Sequence, residues 1–233
     1  MKERSSRLIA LAIALTMAAP LPVSAGEISL PLGGRLYKSL RSFQEIRQSR
    51  VTQQRWDFSC GAAALSTLLT YHYDDKVSEA AIIASLLHHV NPQKVRARGG
   101  FSLLDLKRYV EARGYEGKGY ARLTLEELTA LATPAIVPVR INNYDHFVIL
   151  RSVIGNRVVL ADPSQGTMTM KTAQFREIWK NGIGFIVLRP NSALPPANLT
   201  PREEDFFIPD GNAMTRSLLR IGTTPLTRQG IGP

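Results

Sequence analysis

The order of two hydrophobic patterns is the feature of this chain that most constrains its fold. Segments with helical spacing of apolar residues come first, and β-branched runs follow them at 135–141, 146–154 and 157–162. Helices grouped ahead of neighbouring strands favour an α+β fold, because an α/β fold would alternate the two. A Gly-Asn turn signal separates the last two runs, which predicts an antiparallel hairpin.

Capping residues and apolar spacing place the helices that precede these strands. The Ala- and Leu-rich run that begins at Cys60 reads as a buried helix, and Asp57 and Ser59 are plausible caps for it. Further helices are predicted at 78–89, 102–114 and 124–133, a last helix at 172–180 and a last strand at 184–188. The expected architecture is a helical half packed on an antiparallel sheet.

The first 25 residues have the three-part layout of a secretory signal peptide. Basic residues open the chain, an apolar stretch follows from Leu8 to Ala19, and the small triplet Val23-Ser24-Ala25 ends it. We expect cleavage after Ala25 and a periplasmic location. A retained membrane anchor is the alternative, and membrane association is expected only in that case.

Composition divides the rest of the chain and limits its partners. We interpret 26–49 as a lead-in segment, 50–190 as the main domain and 191–233 as a Pro-rich, charged tail. Phe206 and its neighbours could pin this tail to the domain, or the tail could dock on a partner. The 29 Lys and Arg against 19 Asp and Glu give a net charge of +10. These charges are scattered, so we predict a solvated basic surface and no nucleic-acid partner.

The chain has one cysteine, Cys60, which excludes an intramolecular disulfide and a multi-cysteine metal site. An exported protein with a lone thiol calls for an explanation, since exported compartments oxidise thiols. Cys60 stands at the predicted start of a helix, where the dipole and free N–H groups favour a thiolate. Gly61 and two alanines follow it and leave room for a substrate backbone.

Candidates for the other groups of a cysteine nucleophile are also present. His146 begins one strand of the predicted hairpin and Asp162 ends the other, so the antiparallel pairing brings a base and an orienting acid together. Gln54 lies six residues before Cys60, where its side-chain amide can join the Cys60 N–H in an oxyanion hole.

These motifs also resemble those of the C39 family of papain-like cysteine peptidases. The matching segments are Gln54–Ala64 around the nucleophile, His146–Leu150 around the base and Ala161–Pro163 around the acid. The resemblance covers roughly residues 50–188 and implies a papain-like α+β fold, with Cys60, His146, Asp162 and Gln54 as site residues. Family members often carry an acidic residue before the cysteine, where this chain has Ser59.

The resemblance also implies what such a protein does. We expect an exported cysteine endopeptidase that hydrolyses a secreted or periplasmic polypeptide, supports the secretion or assembly of an extracellular fibre, and has secretion-system components as further partners. The double-glycine specificity of family members fused to ABC exporters is not expected here. No cofactor and no metal are predicted. The alternatives are a non-catalytic substrate-binding module and an acyl transferase that uses the same triad.

Each site residue also has a simpler interpretation. Cys60 could be a buried structural thiol, His146 an ordinary strand-end histidine and Asp162 a turn residue before proline. Gln54 could be a surface side chain, and the neighbouring Gln53 makes the choice of residue ambiguous.

Other residues near the four candidates, or of a metal-binding type, also have an alternative interpretation. Asp145 is a second carboxylate next to the base, but neighbouring side chains in a strand point to opposite faces. His72, His88 and His89 are metal-ligating residue types, yet no HExxH spacing exists and adjacent histidines diverge on a helix.

Overall fold

The computed structural model of this protein describes residues 27–29, 35–37, 41–141, 143–190 and 199–206. The chain divides into two compact units, the first ending at Arg41 and the second beginning at Ser42. In the first unit, β1 (Glu27–Ser29) pairs antiparallel with β2 (Arg35–Tyr37). The predicted signal peptide lies outside the described residues.

The second unit begins with helices and ends with strands. In chain order its first elements are α1 (Phe43–Gln48), α2 (Cys60–His72), α3 (Glu79–Leu87), α4 (Pro92–Arg98), α5 (Leu103–Ala112), β3 (Glu116–Tyr120) and α6 (Leu125–Ala130). They are followed by β4 (Ala135–Ile141), β5 (Tyr144–Ile154), β6 (Arg157–Asp162), β7 (Gly166–Lys171), α7 (Thr172–Ile178), β8 (Gly184–Leu188) and a short 3-10 helix, Glu203–Phe206. Within the ranges that the structure describes, none of the helices has the length and apolar content needed to cross a membrane.

The strands of this unit form one sheet in the order β3-β8-β4-β5-β6-β7, and each pair of neighbours is antiparallel. The α+β prediction is therefore confirmed. The strands β4, β6 and β8 have the predicted boundaries, whereas β3, β7 and α4 were not predicted from the sequence.

Hydrophobic clusters cover both faces of the sheet. One cluster joins α2, α3 and α5 to one face and includes Leu65, Leu106 and Ile149, which are fully buried. The other joins α6 and α7 to the opposite face and includes Phe175 and Val148. Each fully buried leucine of this kind stabilises the fold by about 1.5–3 kcal/mol. Neighbouring residues of β5 thus serve different clusters, as the two-residue period of a strand requires.

The hairpin of β5 and β6 contains a β-bulge at Arg151. Near the turn, Ser152 pairs with Val159; beyond the bulge, Leu150 pairs with Leu160, which is only one residue further along β6. Arg151 is therefore the extra residue of β5. A bulge of this kind moves the register by one residue and changes which side chains of the two strands share a face.

Part of the C-terminal tail packs on the domain. Leu199 and Asp205 are fully buried, and the Arg151 side chain donates to the carbonyl oxygens of Leu199 and Thr200. Phe206, which the sequence suggested as an anchor, is 38% exposed, and the two residues after it lie outside the described part of the chain. Leu199, Thr200 and Asp205 therefore contribute contacts that hold the segment.

Candidate active site

Cys60 is the first residue of α2 and is only 4% exposed. Ser59 occupies the cap position, but its side chain makes no capping hydrogen bond to the helix; its hydroxyl donates instead to the carbonyl oxygen of Trp56 at 2.7 Å. The N–H groups of the first turn are thus left without a side-chain cap. They and the helix dipole favour a negative charge on an oxygen bound beside Cys60.

Two close approaches fix the start of this helix. A Cβ atom at Gly61 would lie 3.3 Å from the Phe147 ring, so the small residue lets α2 pack closely against the strand that carries His146. At Gly100, which has φ of 156°, a Cβ atom would lie 2.8 Å from the Phe58 carbonyl oxygen. Glycine at this position lets the loop before α5 support the segment that leads to Cys60.

His146 and Asp162 lie side by side on the hairpin. The Nε2 atom of His146 is 2.8 Å from Oδ1 of Asp162, and the two residues are 6% and 1% exposed. The same Oδ1 accepts hydrogen bonds from the backbone N–H and the hydroxyl of Ser164 at 2.7 Å. Asp162 therefore orients the imidazole and also closes the turn between β6 and β7, so the two interpretations of this residue are compatible.

The Arg151 bulge decides that these two side chains meet. Ala161 pairs with Ile149, so Asp162 stands opposite Val148, which shares a face of β5 with His146. Without the extra residue the register would shift, and Asp162 would stand opposite Ile149, on the other face. The hairpin symmetry that predicted this pair from the sequence was thus incomplete, because it did not include the bulge.

The surroundings of His146 favour its charged form. Burial lowers the pKa of His146, but the Asp162 carboxylate and, after it, the Cys60 side chain outweigh burial and raise this pKa to about 9. Burial raises the pKa of Asp162, and its hydrogen bonds from His146 and Ser164 outweigh that and lower it. The Nδ1 atom of His146 is buried without a hydrogen-bond partner among the described residues. It is the ring nitrogen that Asp162 does not bind.

Gln54 is held in place by its own backbone and that of its neighbour. Its N–H donates to the Pro163 carbonyl oxygen at 2.8 Å, next to Asp162, and the Arg55 N–H donates to Oε1 of Glu79 at 3.1 Å. The side-chain Nε2 makes a long hydrogen bond of 3.3 Å to the Trp56 carbonyl oxygen. The amide is thus beside the segment that leads to Cys60, and its hydrogen bond to the Trp56 carbonyl oxygen is long and weak.

Two residues near the site were missed in the sequence. The Tyr144 hydroxyl donates to the Asp57 carbonyl oxygen at 2.6 Å, and its ring centroid is 6.1 Å from that of His146. Burial, then Cys60 and Asp57, raise the pKa of Tyr144. Glu79 is 3% exposed, although a first-turn acid after the cap Ser78 reads as an ordinary helix start. No pattern in the sequence signalled either contact.

The remaining candidates lie elsewhere. Asp145 is bound by Arg140 and Lys180 on the surface, whose hydrogen bonds lower its pKa to about 2. His88 and His89 are exposed, and His72 is buried with its pKa lowered by burial. Among the described residues, no group of three or more His, Cys, Asp or Glu side chains is arranged to hold a metal ion.

A thiol at an uncapped helix start, facing a sheet that carries a histidine–carboxylate pair, is the arrangement of papain-like cysteine peptidases. The comparisons with known proteins agree with that class. The chain belongs to the peptidase C39 family, whose profile matches residues 48–192. It is a cysteine peptidase of this family, and the fold prediction is confirmed in its papain-like form as well.

Relatives with described roles are similar over most of the chain. A protein of Pseudomonas aeruginosa named probable functional amyloid protease FapD is 42% identical over 188 residues, which cover 78% of this chain and 82% of that protein. A protein of the same name from Pseudomonas fluorescens is 35% identical over 202 residues, covering 82% of this chain and 88% of that protein.

A solved structure shares the fold. The peptidase domain of Streptococcus ComA, a bifunctional ABC transporter involved in a quorum-sensing pathway, is 21% identical with a TM-score of 0.51. The match covers 60% of this chain and 97% of that domain.

Proposed function

We propose that this protein is an exported endopeptidase that cuts a secreted or periplasmic polypeptide and serves a functional-amyloid system, as the names of its relatives suggest. The observation that carries the proposal is the hydrogen bond of 2.8 Å between His146 and Asp162, on the strands that face Cys60. The signal-like start of the chain supports export, and the two relatives named FapD support the amyloid connection.

The proposed reaction proceeds through a thioester. The Cys60 sulfur attacks the carbonyl carbon of the scissile peptide bond, and the charge that develops on the oxygen is stabilised by the Cys60 N–H and the Gln54 amide. His146 then donates its Nδ1 proton to the departing amine, and the C–N bond breaks. A water molecule gives a proton back to His146 and adds to the thioester, which releases a new carboxyl terminus and the thiolate.

The experiment is a search for new chain ends. The purified chain is incubated with a mixed peptide library, and mass spectrometry identifies the products. New carboxyl termini formed by the wild type and absent with Cys60→Ala support a peptidase. Crosslinks to an added amine without new carboxyl termini would indicate an acyl transferase. Intact peptides retained by the protein would indicate a binding module.

Gln54→Ala is expected to lower kcat by about two to three orders of magnitude, because it removes one donor of the oxyanion hole. KM is expected to change little, since the donor acts on charge that develops in the transition state. Steady-state kinetics on a peptide found in the library search measures both values.

Gln53→Ala is the matched control for this substitution, since it truncates the neighbouring glutamine. It is expected to leave kcat near the wild-type value. If Gln53→Ala and not Gln54→Ala lowered kcat, the donor would be Gln53.

Glu79→Ala is expected to lower kcat by about tenfold, because Oε1 of Glu79 holds the Arg55 N–H and thereby the position of Gln54. Glu79→Gln retains an oxygen that can accept this hydrogen bond and is expected to restore most of the loss. Kinetics on the same peptide measures the difference.

Ser78→Ala separates this effect from a weakened helix. Ser78 caps the same helix through the Ala81 N–H, and its loss costs about 1 kcal/mol of stability. Its kcat is expected to match that of the wild type. An equal loss of kcat in Ser78→Ala and Glu79→Ala would mean that Glu79 acts through helix stability alone.

A further inference from the structure

The Arg151 side chain is wholly buried and is held mainly by the C-terminal segment 199–206. Its Nε donates to the Leu199 carbonyl oxygen at 2.8 Å. Its Nη2 donates to the Asp205 carboxylate at 2.9 Å and to the Thr200 carbonyl oxygen at 3.2 Å. Nη1 donates to the Thr167 hydroxyl of β7 at 3.2 Å. A buried guanidinium requires such partners, since an unpaired buried charge is strongly unfavourable.

Asp205 also binds a second arginine. Both of its carboxylate oxygens accept hydrogen bonds from Nη2 of Arg50, at 3.2 and 2.9 Å. Arg50 lies four residues before Gln54, and Arg151 lies five residues after His146. The carboxylate is thus shared by arginines from the two segments that carry these site residues. Burial lowers the pKa of Arg151 to about 10, although Asp205 raises it.

The backbone that this network holds is the bulge of β5. Arg151 is the extra residue that brings Asp162 opposite Val148 and therefore onto the same face as His146. A bulge leaves a residue outside the regular hydrogen-bond ladder. Here the side chain of that residue is hydrogen-bonded to Leu199, Thr200 and Asp205.

We propose that segment 199–206 is a positioning element of the active site, which fastens the Arg151 bulge and thereby keeps His146 and Asp162 on one face of the sheet. Asp205 in the segment and Arg151 in β5 are the positioning residues. The segment lies outside the range 48–192 that matches the family, so the pairing of two site residues depends on a part of this chain that the family domain does not include. This inference rests on the proposed function for the roles of His146 and Asp162.

The test follows the His146 imidazole by NMR during a pH titration of the full-length chain. The sequence has four histidines, and a spectrum of His146→Ala identifies the signal of interest. The wild type is expected to titrate near the raised pKa of about 9. In Arg151→Met and Asp205→Asn, the midpoint is expected to fall by about one pH unit or more, because His146 loses its close contact with Asp162.

Arg50→Met is the matched control. It removes the other arginine of the network, which also donates to the Thr200 carbonyl oxygen at 3.0 Å, and retains every hydrogen-bond partner of Arg151. His146 is therefore expected to titrate as in the wild type. A titration midpoint of His146 lowered equally in Arg50→Met and Asp205→Asn would contradict the proposal that Asp205 acts on His146 through the Arg151 bulge.

Folding is checked by circular dichroism before each titration. If Asp205→Asn does not fold, Arg151→Met tests the proposal alone. This substitution removes the buried guanidinium charge and does not leave it unpaired. A wild-type midpoint in folded Arg151→Met would show that the segment stabilises the fold without positioning the site. The titration does not depend on any peptide being cut, so a failure of the proposed peptidase activity would be seen separately.

Discussion

Peptide turnover is expected to fall by about three orders of magnitude or more in Cys60→Ala, because the nucleophile is removed and no second thiol exists in the chain. The fold is expected to survive, since a buried thiol and a methyl group are both small and apolar, with a stability change below about 1.5 kcal/mol. The measurements are the rate at which new carboxyl termini appear and the thermal unfolding midpoint.

Cys60→Ser is the matched variant for this prediction. It keeps the size of the side chain and replaces the thiol with a hydroxyl, which is a much weaker nucleophile at neutral pH. It is expected to be nearly as inactive as Cys60→Ala. Turnover that persists in pure samples of both variants would place the nucleophile elsewhere and contradict the proposed mechanism.

Asp162→Asn is expected to have the second-largest effect, with kcat lowered by about two to four orders of magnitude. The carboxylate orients His146 and is the main group that raises the pKa of this imidazole. In the wild type, the alkaline limb of kcat/KM is expected near pH 9, where His146 loses its proton. In the variant this limb is expected to move toward the ordinary histidine value of 6.5. A pH–rate profile on one peptide measures both effects.

The same pair predicts how stability depends on pH. Because the folded-state pKa of His146 is raised, its stabilising contribution is fully present below pH 6.5 and is lost as the pH rises through about 9. Unfolding midpoints measured between these pH values are expected to decline in the wild type and to decline less in Asp162→Asn.

Asp145→Asn is the control for these pH effects, because Asp145 is next to His146 in the chain but pairs with Arg140 and Lys180 on the surface. It is expected to leave the alkaline limb in place. A limb that moves with Asp145→Asn and stays with Asp162→Asn would reverse the assignment of the orienting acid.

The sequence predicts those parts of the fold that depend on local patterns. Strands β4, β6 and β8 are β-branched and buried, so their boundaries could be read directly. Strand β3 contains two glycines and β7 alternates threonine with methionine, and neither pattern distinguishes a strand from a loop. Helix α4 carries few apolar residues, and only Val95 is buried.

In the candidate site, too, the sequence predicts only those features that have a local pattern. Cys60, His146 and Asp162 could be named because helix starts and hairpin ends are local signals. The register that joins His146 to Asp162 depends on Arg151, whose partners come from Leu199 and Asp205 about fifty residues later. Contacts over such sequence distances leave no periodic pattern, so the sequence does not predict them. The catalytic roles of the site residues are predictions that the kinetic and titration measurements test.

The bulge at Arg151 also determines which natural variants of this chain can persist. The register depends on the number of residues between His146 and the hairpin turn as well as on the contacts that hold the bulge. The deletion of one residue there, even one that never contacts the site, would remove the offset and turn His146 to the opposite face. Insertions between β5 and β6 at the exposed Gly155 and Asn156 only lengthen the connection. Length should therefore vary among descendants of this sequence at that turn and remain fixed from His146 to Ile154.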